Sequence, residues 1–238
     1  MSDIPHGCYI PLDQIIKSSI AIPMYYSREY EMGIRHFCKY NDFDRMSIGD
    51  LHQQMMIEIF HGHGSPSADQ RIGDIPYIKV SDLRAGAVNV NPTNQIPIAL
   101  AEKYWKGKTS GLQAYDLLSP ERASKNIGEF CVLMPGQEQI VLTKEVIGLR
   151  SKSELFDQFY LMWAMNLPVV RRQWERVIFM QTNREDVGNR FLEIEIPIPK
   201  SKEMAITISK PYKNYYDSLA NLKKVFEENK KDLLEVFR

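Results

Sequence analysis

At 238 residues the chain is long enough to bury a sizeable core, as one large domain or as one domain plus an accessory element. Its 30 basic and 30 acidic side chains cancel, which excludes a histone-like binder that is positive all over but leaves room for a local basic face. No run approaches the ~18 uncharged apolar residues of a membrane span, and MSDIPHGCYIPLDQ lacks a basic region followed by an apolar stretch, so neither a span nor a secretory signal is expected. Cys8, Cys38 and Cys131 are odd in number and far apart, the pattern of reduced thiols in a cytoplasmic protein, without disulfide or zinc spacing.

Residues 1–44 are tyrosine-rich, with Tyr25, Tyr26 and Tyr30 leading into a short helical stretch near Arg28–Tyr40. Met46–Phe60 fits a helix turn followed by a strand, and His61–Asp74 (HGHGSPSADQRIGD) reads as a loop. IPYIKVSDL has strand periodicity, with Pro76, Ile78 and Val80 on one face and Tyr77, Lys79 and Ser81 on the other. Residues 84–97 are turn-rich. Strands are expected through Glu129–Met134 and Gln139–Thr143, joined across Pro135-Gly136. Ser153 would cap a helix over Glu154–Asn166. Pro168 would start a second, Val169–Met180, with Val170, Trp174, Val177 and Ile178 inward and Arg171, Arg172 and Arg176 outward. FLEIEIPIP alternates, placing Leu192, Ile194, Ile196 and Ile198 on one face, and Pro197 and Pro199 end the ladder or put it at an edge.

The last element is a heptad helix. Tyr212, Tyr215, Leu219, Leu222, Phe226, Asn229, Leu233 and Val236 are spaced by alternating threes and fours, over a helix roughly 40 Å long at 1.5 Å per residue. The other faces are charged, and Asn229 on the seam would trade stability for register. Such a stripe needs cover, from its own domain, from a partner's helix or from a second copy.

Two windows are locally basic by a net +2. Residues 101–125 carry Lys103, Lys106, Lys108, Arg122 and Lys125 against three acids, and residues 171–190 carry five arginines against three acids. Charge alone would make each a solvated face.

Catalytic patterns fail one by one. His61 and His63 in HGHG need further metal ligands that the spacing does not supply, so a flexible loop, exposed or touching a ligand, is the favoured reading. Gly107-Lys108-Thr109 lacks the glycine of a phosphate-binding loop, since Glu102 stands there. Asn91-Pro92-Thr93-Asn94 lacks the second proline and aromatic of the adenine-methyltransferase loop. Glu228-x-Lys230 lies on the charged helix face, where an ion pair explains it. The chain reads as catalytically empty.

The ordered blocks resemble the target-recognition domain of type I restriction–modification specificity subunits, a module also appended to some adenine-N6 DNA methyltransferases. The blocks are MSIGDL with HGHGSPSAD and GDIPYIKVSDL, then YDLLSPERASKNIGEFCVL, FYLMWAMNLPVVRRQW, VIFMQTNREDVGNRFLEIEIPIPK and the long helix. The resemblance covers roughly residues 45–238. Specificity subunits carry two such domains where this chain has one, and residues 1–44 fit the pattern poorly.

The resemblance implies an α+β fold: a target-recognition domain with a mixed β-sheet and packed helices, then a long coiled-coil-forming helix. It divides the chain into an extension (1–44), the recognition domain (45–200) and a helical spacer or dimerisation helix (201–238). It implies a non-catalytic reader of double-stranded DNA serving an adenine-N6 methyltransferase subunit and possibly a restriction subunit. S-adenosylmethionine would bind the partner and no cofactor this chain.

Base edges would be read by Gln181, Thr182, Asn183 and Arg184, because Gln and Asn pair bidentately with adenine and Arg with guanine. Lys79, Ser81, Arg84, His61 and His63 form a second tier. Phosphates would be held by Lys103, Lys106, Lys108, Arg122, Lys125, Arg171, Arg172 and Arg176. The seam Tyr215, Leu219, Leu222, Phe226, Asn229, Leu233 and Val236 would pair with a partner helix or a second copy. Two other classes stay open: a metal-dependent DNA-processing enzyme using the HGHG loop, and a coiled-coil interaction module that never meets DNA.

Overall fold

The structure, a computed structural model, describes residues 10–122, 125–178 and 187–236, with side chains to residue 230. Two helices, α1 (Leu12–Ser18) and α2 (Arg28–Tyr40), open the chain, and α2 sends Ile34 and Cys38 into the main core. Strand β1 (Asp44–Ser47) leads to α3 (Ile48–Gln53), which Ser47 caps by accepting the Asp50 N–H at 3.0 Å. There follow β2 (Ile57–His61), β3 (Ile75–Ile78), β4 (Leu83–Arg84), β5 (Ala87–Val88), β6 (Gln95–Ile96), α4 (Ile98–Trp105), β7 (Leu117–Pro120), β8 (Cys131–Val132), β9 (Val141–Leu142) and β10 (Val146–Ser151). Helices α5 (Gln158–Asn166), α6 (Pro168–Arg171) and α7 (Trp174–Val177), strand β11 (Glu195–Ile198) and α8 (Lys202–Val236) complete the order.

This is a mixed α+β fold. A six-stranded sheet runs β2-β10-β7-β8-β5-β4, beside a three-stranded sheet β6-β3-β9 and the pair β1-β11. Pairing is antiparallel except for β5 with β8 and β3 with β9. One core lies between the helices and the six-stranded sheet, built on Ile34, Leu117, Phe130, Tyr160, Trp174 and Ile196. A second fills the space between the two larger sheets around Ile78, Leu118 and Leu142, and α4 closes a third with Tyr77, Ile96 and Val141.

Several expected elements shift for identifiable reasons. IPYIKVSDL leaves strand geometry after Ile78, because Asp82 turns back to accept the Lys79 N–H at 2.9 Å and a short 3-10 turn, Val80–Asp82, replaces the ladder. The Pro135-Gly136 turn exists, but the segments it joins enter different sheets, so they form no hairpin. Ser153 caps only a local turn. Helix α5 starts one turn later, where Asp157 accepts the Tyr160 N–H at 2.8 Å.

The expected helix over Val169–Met180 breaks between α6 and α7. There Gln173 turns inward and clamps β11, its amide donating to the Glu195 carbonyl at 2.7 Å and accepting the Glu195 N–H at 2.9 Å. The break rotates α7, so Trp174, Arg176 and Val177 all face inward. Ile194, Ile196 and Ile198 are buried as alternation requires, while Leu192 belongs to a 3-10 turn, Gly188–Glu193.

Helix α8 is longer than its heptad stripe, at 35 residues or about 52 Å. Met204, Ala205, Ile208, Tyr212, Tyr216, Leu219 and Ala220 pack it on its own domain. Asp217 accepts the Tyr115 hydroxyl at 2.9 Å and pairs with Lys213 at 3.0 Å, pinning the middle of the helix. From residue 221 to 230 every residue is exposed, including Leu222, Val225 and Phe226. Own-domain packing therefore covers the first half of the helix and leaves residues 221–230 exposed.

Candidate nucleic-acid interface

Strand register gathers the polar candidates at one end of the sheets. His61 closes β2 opposite Ile147, near the start of β10, and Val146 faces Pro120, the last residue of β7. Because β8 runs antiparallel to β7 and parallel to β5, the loop after β7 and the β4–β5 turn also lie at this end. That turn places Ala85 and Gly86 at positive φ (54° and 70°), as a two-residue hairpin with right-handed strand twist requires, and Arg84 stands exposed beside it. The parallel strands β3 and β9 end here too, with the Thr143 N–H donating to the Ile78 carbonyl at 2.9 Å.

The resulting rim runs from His61 on β2 at one edge of the six-stranded sheet to Arg84 on β4 at the other, with Arg122 and Lys125 after β7 between them and Lys79 and Ser81 after β3. It also includes Lys144, exposed in the turn between β9 and β10, which the sequence reading passed over because it lay outside both basic windows. Five basic side chains stand there against Asp82, Glu121 and Glu145. The acids are engaged: Glu121 with His61 Nδ1 at 3.2 Å, Glu145 with Arg122 at 3.7 Å, and Asp82 on the Lys79 N–H.

Gln181–Arg184 lie outside the described residues. The Val187 N–H donates to the Glu121 carbonyl at 3.3 Å, so the chain re-enters the described structure at this rim.

The HGHG segment is a structural crossing instead of a flexible loop. A side chain at Gly62 would sit 1.8 Å from the Thr143 carbonyl oxygen, and one at Gly64 would enter the Tyr104 ring at 2.1 Å, so glycine is required at both. Between them His63 is held through both ring nitrogens. The Leu142 N–H donates to Nδ1 at 3.0 Å, which puts the proton on Nε2, and Nε2 donates to the Ser110 carbonyl at 3.0 Å. Burial lowers the His63 pKa, opposed in part by the Ser110 bond. His61 alone of the two keeps an exposed ring. Among the described residues no group of three His, Cys, Asp or Glu side chains is placed to hold a metal ion.

The phosphate candidates divide. Arg122 and Lys125 are on the rim. Lys103, Lys106 and Lys108 are exposed around the C-terminal end of α4, toward the start of β9, where Trp105 Nε1 donates to the Ile140 carbonyl at 3.0 Å. Arg171 is exposed on α6, and Arg172 meets Glu29 at 3.6 Å and the Tyr30 ring at 5.9 Å. Arg176 is a correction. It is only 9% exposed, donates to the Glu193 carbonyl at 3.2 Å and lies 5.7 Å from the Tyr25 ring centroid, whose hydroxyl donates to the Glu193 carboxylate. The break at Gln173 turned it from the surface into the core.

A buried ion pair braces the six-stranded sheet at the end opposite the rim. Arg150 on β10 grips Asp116 bidentately at 2.6 and 2.7 Å, reaches Glu58 at 3.2 Å and the Gly111 carbonyl at 3.0 Å, and lies over the Phe60 ring. Asp116 also accepts the Gln113 N–H at 2.8 Å. An Asp and an Arg 34 residues apart give no sequence signal of their pairing.

No helix among the described residues is long and apolar enough to cross a membrane. No protein-family model matches the chain, and no curated protein matches it. Among solved structures it is similar to the HsdS subunit from Thermoanaerobacter tengcongensis (15% identity, TM-score 0.45, 77% of this chain and 39% of that one). It is likewise similar to the type I restriction-modification S subunit from M. genitalium (10% identity, TM-score 0.44, 92% and 52%). A third similar chain comes from a structure on complex assembly and conformational transition of the type I R-M system (13% identity, TM-score 0.45, 93% and 53%). The chain thus spans between about two-fifths and one-half of the length of these structures.

Proposed function

We propose that the chain is a DNA-reading specificity subunit: one target-recognition module that directs a separate adenine-N6 methyltransferase, and a restriction subunit where one is present, to its site. The observation that carries the reading is the rim. Five separate segments deliver Lys79, Arg84, Arg122, Lys125 and Lys144 with Ser81 and His61 to one end of the sheets. Cations there would hold phosphates and fix the register of the duplex. Arg84, Ser81 and His61, and from the sequence Gln181–Arg184, would address base edges in the major groove.

The remaining features serve recognition better than catalysis. His63 has both ring nitrogens engaged by backbone groups, which removes one of the two histidines on which a metal-dependent reading of HGHG depends. Residues 221–230 of α8 are exposed, and Leu222 and Phe226 among them would offer a surface for a partner's helix. Methylation would be the partner's chemistry, on an adenine taken out of the duplex, with S-adenosylmethionine bound there.

The test is selection of bound duplexes from a random pool by the full chain, alone and co-purified with a methyltransferase subunit. The reading expects an enriched motif with the complex. Equal recovery of random duplexes, or cleavage by the chain itself that His61→Ala abolishes, overturns it.

A further inference from the structure

We infer that the rim carries its own competitor for phosphate, with Glu145, and Glu121 behind it, acting as an electrostatic gate that suppresses indiscriminate DNA binding. The inference rests on the proposed DNA-reading role of this rim and concerns how that role is kept selective.

Two of the rim's cationic or protonatable groups are already faced by carboxylates. Glu145 precedes β10 in the same turn as Lys144 and stands 3.7 Å from Arg122, with both side chains about one-third exposed. Glu121 precedes Arg122 and meets His61. The two acids belong to one backbone junction, since the Glu121 N–H donates to the Glu145 carbonyl at 2.8 Å. A contact this long and this wet holds weakly, so a phosphate that arrives in register can displace it.

The carboxylate charge remains after displacement. It lowers the local positive potential that attracts any duplex, whatever its sequence. Base contacts are untouched by it. Non-specific affinity, which is almost wholly electrostatic, is therefore reduced more than specific affinity. Repulsive elements of this kind are a general means of discrimination. Fixed ion pairs that only stabilise the strand ends would have no such asymmetry.

The experiment compares Glu145→Gln with Glu154→Gln in the full chain. Both remove one negative charge, but Glu154 is exposed in the turn beyond the C-terminal end of β10, at the opposite end of the sheet. Anisotropy titrations use a labelled random-sequence duplex at several salt concentrations, and thermal melts check folding. Glu145→Gln should tighten random-duplex binding about three- to tenfold at ~50 mM salt and steepen the salt slope by up to ~0.9, the value for one phosphate contact. The gain should fade toward ~0.5 M salt as screening shortens the reach of the charge. Glu154→Gln should change little.

Equal tightening by the two variants, or unchanged or weaker binding by Glu145→Gln, overturns the gate while leaving DNA reading intact. No binding by either variant or the parent chain at low salt overturns both.

Discussion

Replacing Asp116 by alanine tests the reasoning about how the six-stranded sheet that carries the rim is braced at its far end. Asp116 is 1% exposed, receives two charge-assisted hydrogen bonds from Arg150 and accepts the Gln113 N–H. Alanine removes all three bonds and leaves a guanidinium, itself only 11% exposed, without its main counter-charge. Breaking a buried pair in this way costs about 3–5 kcal/mol. Glu58 and the Gly111 carbonyl remain on Arg150, which argues for the lower end, about 3 kcal/mol. For a chain of this size each kcal/mol moves the Tm by roughly 2–4 °C, so a fall of about 6–12 °C is expected by calorimetry. Asp116→Asn keeps acceptors for Gln113 and part of the Arg150 contact and should lie between the two. If Asp116→Ala lowers the Tm by less than about 2 °C, the pair is incidental and the account of the braced sheet is wrong.

Other expectations follow from the same contacts. Arg176→Ala should destabilise the fold by about 1–3 kcal/mol through lost buried hydrogen bonds, whereas the exposed Arg171→Ala should stay within about 0.5 kcal/mol in urea titrations. Because burial holds the folded His63 pKa below its unfolded value near 6.5, its neutral form contributes stability that is present above that value. That stability is lost as pH falls through the depressed folded pKa, so thermal midpoints should drop on acidification, and His63→Gln should flatten this dependence. Gly62→Ala should unfold or severely destabilise the chain, since the new carbon would meet the Thr143 carbonyl. Phe226 is 65% exposed on α8, so Phe226→Glu should leave the Tm nearly unchanged while, on the proposed role, abolishing pull-down of a methyltransferase subunit.

What the sequence made legible were features with local causes. The Arg28–Tyr40 helix, the buried face Ile194–Ile196–Ile198 and the final helix follow from periodicities that tertiary contacts left in place. Elsewhere a distant partner decided the outcome. Gln173 reads as an ordinary helix position, yet its clamp on Glu195 breaks the helix and inverts Arg176. HGHG has the composition of a loose loop, but its glycines exist because Thr143 and Tyr104 press against them from 40 to 81 residues away.

The candidate rim was legible as residue types and not as a place. Arg84 and Arg122 share no window, and only the order β2-β10-β7-β8-β5-β4 brings them to one rim. The turn between β9 and β10 added Lys144, while Lys106 stands at the end of α4, toward the start of β9. The heptad stripe divides: Leu219 packs on its own domain, while Leu222 and Phe226 are exposed.

The central claim is that this rim reads DNA. The most direct measurement is competition binding by the full chain co-purified with a methyltransferase subunit, pitting the selected duplex against a scrambled one. The account predicts that Lys144→Ala weakens both duplexes alike and lowers the salt slope by about 1, while Arg84→Ala weakens the selected duplex alone. Unchanged affinity and unchanged discrimination in both variants would contradict it.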